Sequence, residues 1–161
     1  MTVIALVKID ISYSQFVVFR SAIQEPFNEW SEKHVAQGFS WRPGCVSFRT
    51  LVEFGVHSLE IAVVERFEAL EPEIIRAIEV PFEVSSEGDI EIASISDSVQ
   101  LTLPSGNYCL RCEFLGDSGE GGQSVRLVFA RDEAPRFALV KIDAQLSSNE
   151  VLLTNAKAAS T

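Results

Sequence analysis

Long apolar runs are missing from this chain of 161 residues: none approaches the roughly 20 needed for a membrane-spanning helix. Cysteine is scarce. Cys45, Cys109 and Cys112 are few and odd in number, which argues against a disulfide framework and for a reducing, cytoplasmic setting. Histidine is scarcer still, with only His34 and His57, no HExxH pair and no cluster of ligands. Basic residues are outnumbered, 13 Lys and Arg against 23 Asp and Glu, for a formal charge of −10 and a pI near 4.6. Such a chain repels phosphate backbones, so no direct nucleic-acid binding is expected, whereas a basic protein partner is permitted. The opening MTVIALVKID lacks the basic stretch of a secretory leader, and Lys8 and Asp10 follow its apolar residues at once, so it reads as a strand.

What is present is a chain able to build one core, with 47% apolar and 22% charged residues. Period-2 alternation dominates. Val46, Phe48, Thr50, Val52 and Phe54 share one face, opposite Cys45, Ser47, Arg49, Leu51 and Glu53. Ile78, Val80, Phe82 and Val84 alternate with Glu79, Pro81 and Glu83. Tyr108, Leu110, Cys112 and Phe114 oppose Asn107, Cys109, Arg111 and Glu113. Shorter runs at 59–63, 89–92 and 125–129 repeat the pattern. Half-buried strands at such short spacing bury their faces as two stacked, mostly antiparallel sheets.

The punctuation agrees. Pro104-Ser105-Gly106-Asn107 and Ser86-Glu87-Gly88-Asp89 read as hairpin connections. Pro81 donates no ladder hydrogen bond, so its strand is expected at an edge or with a bulge. One short helix is expected at 32–37. Ser31 is placed to cap it, Trp30 and Val35 to staple it, and Gly38 to end it in a left-handed conformation. The Gly-rich, acidic stretch 115–123 reads as a mobile loop. Residues 1–153 are expected to form a single β-sandwich domain and 154–161 a disordered C-terminal tail.

ALVKID occurs at 5–10 and again at 138–143. The likeness stops at six residues, which is too little for a duplicated unit. Laid antiparallel, the copies set Lys8 opposite Asp143 and Asp10 opposite Lys141, pairs favourable by about 0.2–1 kcal/mol each. Pairing of the two terminal strands is therefore an expectation to test.

Candidate chemistry is thin. Cys109-Leu110-Arg111-Cys112 is a CxxC, but residues three apart on a strand point to opposite faces, so the sulfurs do not converge. Gly119-Glu120-Gly121-Gly122 lacks the lysine and the strand–loop–helix context of a phosphate cradle. His34 and His57 read as ordinary polar positions. No GxSxG elbow is present, and a glycosidase-like carboxylate pair is not visible from sequence. No catalytic residue, cofactor or metal is expected.

The charge distribution says more. Residues 65–91 hold nine acids against Arg66 and Arg76, which is −7 of the net −10. ERFEALEPE packs Glu65, Glu68, Glu71 and Glu73 around Pro72 in a loop or short helical turn. Two readings are open: a solvated edge that discourages sheet-to-sheet aggregation, and a docking surface that steers a basic protein.

In order along the chain come ISYSQFVVF at 11–19, Trp30, QGF at 37–39, VSF at 46–48, VPFEV at 80–84 and LPSGNYCLRC at 103–112. Taken together these segments resemble the competence protein J family, small bacterial inhibitors of the DNA-entry nuclease. The likeness covers about residues 9–114 and is weak between 49 and 79. It implies a cytoplasmic protein that binds a secreted or membrane-associated DNase and blocks it, which fits the lack of a catalytic constellation and an acidic surface that would meet a basic nuclease. It supplies no inhibitory residues, because the matching motifs read as turn, cap and core positions. The chain also looks longer than the family's usual form, around 115–136 and at the C-terminus. An immunity or adaptor protein on the same scaffold, with a non-nuclease partner, is the alternative. The expectation is thus an all-β, two-sheet sandwich of nine or ten strands with one short helix. It would bind through Glu65, Glu68, Glu71 and Glu73.

Overall fold

Alternating residues of the sequence line the inner faces of two stacked sheets in the computed structural model, which describes residues 2–117, 122–147 and 151–159. The elements in chain order are β1 (Thr2–Ile11), β2 (Gln15–Arg20), α1 (Glu32–Gln37), β3 (Phe39–Arg42), β4 (Cys45–Arg49), β5 (Gly55–Val64), β6 (Arg76–Val84), β7 (Asp89–Ala93), β8 (Ser98–Thr102), β9 (Gly106–Asp117), β10 (Gln123–Arg131) and β11 (Ala138–Lys141). One sheet runs β1-β5-β10-β9-β6-β11 and the other β3-β4-β2-β7-β8. Among the described residues only β5 and β10 pair in parallel. Among the described residues eleven strands form where nine or ten were expected; β3, at four residues, is too short to show a period.

The core lies between the sheets. Ile9, Phe16, Val18, Phe48, Ile61, Val80, Ile92, Leu110, Leu127 and Phe129 are all buried there, each worth roughly 1.5–3 kcal/mol relative to exposure. Phe82 and Tyr108 both meet the Phe129 ring edge-on, at 5.8 and 5.7 Å. A smaller apolar cluster of Val17, Phe19, Cys45 and Ala93 sits on the outer face of the five-stranded sheet.

Helix α1 forms at the expected positions. The Ser31 side chain accepts from the His34 amide at 3.3 Å, and His34 Nδ1 accepts from the Ser31 amide at 3.1 Å. Gly38 takes φ 86°, and its N–H donates to the His34 carbonyl.

Four local readings are corrected. Pro104–Asn107 is not a hairpin turn, because β8 and β9 belong to different sheets. Ser86–Asp89 likewise carries the chain from β6 across to β7. The ALVKID copies do not pair: β1 and β11 are the opposite edges of the six-stranded sheet, paired with β5 and β6. Four strands separate the copies, so complementary charge never comes into play. The alternation at 45–54 also outruns its strand. Strand β4 stops at Arg49, Thr50 N–H donates to the Ser14 carbonyl, and Phe54 is 73% exposed rather than buried with Phe48.

Pro81 sits where its missing N–H costs nothing. Strand β11 accompanies β6 only as far as Glu79, and the Pro81 carbonyl on that open side accepts Trp41 Nε1 at 2.7 Å. Strand β9 extends to Asp117 and β10 begins at Gln123, so the expected loop 115–123 narrows; its residues 118–121 lie outside those described. Residues 154–159, assigned by sequence to the tail, run beside 27–29. Glu29 N–H donates to the Lys157 carbonyl, Lys157 N–H to Glu29 Oε2, and Ala159 N–H to the Phe27 carbonyl.

Candidate functional site

The outer face of the six-stranded sheet carries charge where the inner face carries the core. Register sets Arg126 of β10 opposite Glu60 of β5 and Glu113 of β9, and sets Arg111 of β9 opposite Glu79 of β6. Opposite charges meet across four strands as a result. Arg126 contacts Glu113 at 3.0 Å and Glu60 at 3.4 Å, while Arg111 contacts Glu79 at 2.8 Å and Glu113 at 3.5 Å. Glu79, Arg111 and Glu113 are buried. Burial pushes the Glu113 carboxyl above its ordinary range, against the pull of Arg126 and Arg111.

The cover over this face is residues 65–75. Strands β5 and β6 point the same way and are separated by β10 and β9, so the chain must return along the outside of the sheet to begin β6. Two arginines pin the returning chain. Arg111 Nη1 donates to the Glu68 carbonyl at 3.0 Å and its guanidinium lies 4.0 Å from the Phe67 ring centre. Arg126 reaches the Glu71 carboxylate at 3.5 Å. At the far end, Ile75 N–H donates to the Phe114 carbonyl.

Glu65, Glu68, Glu71 and Glu73, the candidate binding residues from sequence, are all exposed on this crossover. Three of them come together: Glu65, Glu68 and Glu71 line a cleft of about 300 Å³ with Phe67, Arg111 and Arg126. Glu73 does not line it and stands on the turn after Pro72. Arg111 and Arg126, which hold the acidic segment in place, are legible in the sequence only as outward strand positions.

A second candidate region lies at the turn between β1 and β2. Tyr13 and Ser14 form the two-residue turn between β1 and β2, closed by the Ser12–Gln15 bridge, and both take φ 59°. A turn of that kind favours Asn-Gly, and a left-handed non-glycine residue costs roughly 1–2 kcal/mol. Tyr13 is nevertheless 73% exposed and gains little packing in return. Beside it is a cleft of about 350 Å³ lined by Tyr13, Ser14, Gln15, Trp30, Val35 and Arg49. Trp30 Nε1 donates to Gln15 Oε1 at 2.8 Å, and Arg49 Nη1 donates to the Val35 and Gln145 carbonyls at 3.1 and 3.0 Å. The signal available in sequence was an aromatic residue at a turn that has no glycine or asparagine.

The remaining candidates are structural. Cys109 faces outward near the Arg136 carbonyl and Cys112 lies in the core. Burial pushes the Cys45 and Cys109 thiols up to about 11, and Cys112 well above its ordinary value. Both histidines are buried, contrary to their reading as ordinary polar positions, and burial lowers the pKa of each. Gly122 is described as part of the approach to β10, whereas Gly119, Glu120 and Gly121 lie outside the described residues. Among the described residues no group of three or more His, Cys, Asp or Glu could hold a metal ion.

Residues 8–130 match the Competence protein J (ComJ) family. Over 112 residues the chain is 30% identical to a "DNA-entry nuclease inhibitor" of Bacillus subtilis (strain 168), spanning 65% of this chain and 77% of that relative. The fold is similar to the crystal structure of ComJ from Bacillus subtilis, there called an inhibitor of the DNA degrading activity of NucA. The TM-score is 0.68 at 21% identity, over 81% of this chain and 98% of that one. With the family match covering most of the chain, this protein belongs to the competence protein J family.

Proposed function

We propose that the protein is a non-enzymatic inhibitor that binds a DNA-degrading nuclease through the acidic crossover and blocks access of DNA. The observation that carries this reading is the gathering of Glu65, Glu68 and Glu71 around one cleft, on a segment pinned from beneath by Arg111 and Arg126. The names of its relatives supply the kind of partner. A nuclease presents positive charge to DNA phosphates, and fixed carboxylates occupy the same surface as phosphate mimics. Because Arg111, which is buried, and Arg126, which is half-buried, already order the crossover, little ordering cost falls on binding. The three free thiols are suited to a reducing compartment, and the reading places the protein in the cytoplasm.

The test is a plasmid-degradation assay with a NucA-type nuclease from the same organism, titrated with this protein at two salt concentrations. Complete inhibition near one equivalent, weakening with salt, is expected. Replacing Glu65, Glu68, Glu71 and Glu73 together by Gln should weaken inhibition about 10- to 100-fold, since exposed charges contribute about 0.2–1 kcal/mol each. Undiminished inhibition by that variant would remove the crossover as the interface. No inhibition by the wild type would favour an immunity or adaptor role with another partner.

A further inference from the structure

We infer that the end of the sandwich bearing Tyr13 and Phe54 is the apolar anchor by which the protein grips its nuclease partner; this rests on the nuclease reading above. Two large aromatic side chains, Tyr13 and Phe54, are each 73% exposed. Their loops are joined directly, because Ser14 N–H donates to the Glu53 carbonyl at 2.9 Å and Thr50 N–H to the Ser14 carbonyl at 2.9 Å. Each ring therefore stands one residue from the hydrogen bond that ties the loops together. The adjoining cleft is lined by Tyr13, Trp30 and Arg49, the three residue types enriched at interface hot spots.

Backbone strain points the same way. Two successive non-glycine residues at φ 59° hold the Tyr13 ring out on a short, bridged turn. Neither ring nor hydroxyl is repaid by burial within the chain. Strain that persists at an exposed position, with a rigid aromatic side chain as its outcome, is the pattern of a pre-organised contact.

The occupant is an apolar side chain of the nuclease, flanked on the nuclease surface by Lys or Arg. Glu53 and Asp10 are exposed on the elements leading into the two loops, whereas Arg49 is turned to the Val35 and Gln145 carbonyls. The rim thus offers negative charge around an apolar centre, complementary to a basic protein. The acidic crossover leads into Arg76, which is fully buried; its Nη1 donates to the Arg49 carbonyl at 2.6 Å, and the Arg49 side chain lines the cleft. The two regions are thus linked through one buried side chain.

The experiment is calorimetric titration of a NucA-type nuclease from the same organism with the full chain and with Tyr13→Asn/Ser14→Gly. That double substitution removes the ring while giving the turn the residues it favours, so the fold is kept or strengthened. The expected result is an unchanged or higher Tm with affinity reduced tenfold or more. Affinity within tenfold of wild type, in a folded variant, overturns the inference and leaves the nuclease reading intact. Should the double variant fail to fold, Phe54→Ser serves in its place, since that side chain is mostly in solvent, and the same tenfold criterion applies. A wild-type chain that binds no nuclease overturns both readings at once.

Discussion

Residues 65–75 expose four glutamates and are held from beneath by two arginines, whereas residues 12–15 expose one aromatic ring and are held by backbone hydrogen bonds, within the turn and to Thr50 and Glu53. The first region is polar above and ionic below. Its geometry depends on buried charge in strands distant in sequence. The second is apolar at its tip, and its geometry depends on a local turn that resists its own residues. Charge laid over a wide face acts at a distance and is weakened by salt, while a rigid ring acts only on contact. On the reading proposed above, the two regions serve different steps of one encounter: the face the approach and the tip the hold.

The most disruptive way to break this comparison is Arg111→Ala. It leaves the buried Glu79 and Glu113 carboxylates without that cation and frees Phe67 and the Glu68 carbonyl. A loss of about 3–5 kcal/mol is expected in urea denaturation. Near native conditions, hydrogen exchange should speed up in 65–75 before it does in 12–15. A fall in stability below about 1 kcal/mol would show that the crossover is not held from beneath.

Acidity separates the regions more gently. His34 Nδ1 accepts from the Ser31 amide beside Trp30, and burial lowers the pKa of this histidine and of His57. Between the lowered folded value and the ordinary 6.5 the unfolded chain binds more protons. Stability from these groups is therefore present above 6.5 and lost as pH falls through that window. Glu113 has the opposite sign. Its raised pKa means that its contribution is full below the ordinary 4.5 and is lost as pH rises through the raised value. Acidification from neutral pH should thus loosen α1 and the Trp30 side first while the crossover stays protected. Hydrogen exchange at two pH values, corrected for intrinsic rates, checks this; equal loosening of both regions would contradict it.

The smallest expected effect belongs to the turn. Ser14→Gly alone should stabilise the chain by roughly 0.5–1 kcal/mol, read as a higher Tm, because glycine accepts a positive φ without strain. A lower Tm would mean that the Ser14 side chain supports the turn in a way that its φ does not reveal.

Much of the scaffold was legible. Alternation marked which side chains of β6, β9 and β10 face the inner core, though not that Glu79, Cys109, Arg111 and Glu113 on the outer face are buried as well, and Ser31 with Gly38 bounded the helix. Pairing was not legible, because alternation records burial and says nothing about the neighbour. Pro104–Asn107 has the composition of a hairpin turn yet joins two sheets. The two ALVKID strands have complementary charges yet occupy opposite edges. Phe54 continued a period that the chain had already left at Arg49. The acidic cluster is visible in the sequence because its four glutamates fall within residues 65–73. Its support by Arg111 and Arg126 emerges only from register across four strands, and the exposed tip only from the φ values of Tyr13 and Ser14.

The most direct test of the division of labour is kinetic. Association and dissociation rates with a NucA-type nuclease would be measured at two salt concentrations for three proteins: the wild type, the variant with Gln at 65, 68, 71 and 73, and Tyr13→Asn/Ser14→Gly. The four-glutamine variant should associate more slowly and lose most of its salt dependence, with little change in dissociation. The turn variant should associate at nearly the wild-type rate and dissociate tenfold faster or more. Wild-type rates in both variants, or a change in dissociation alone for the four-glutamine variant, would contradict the account.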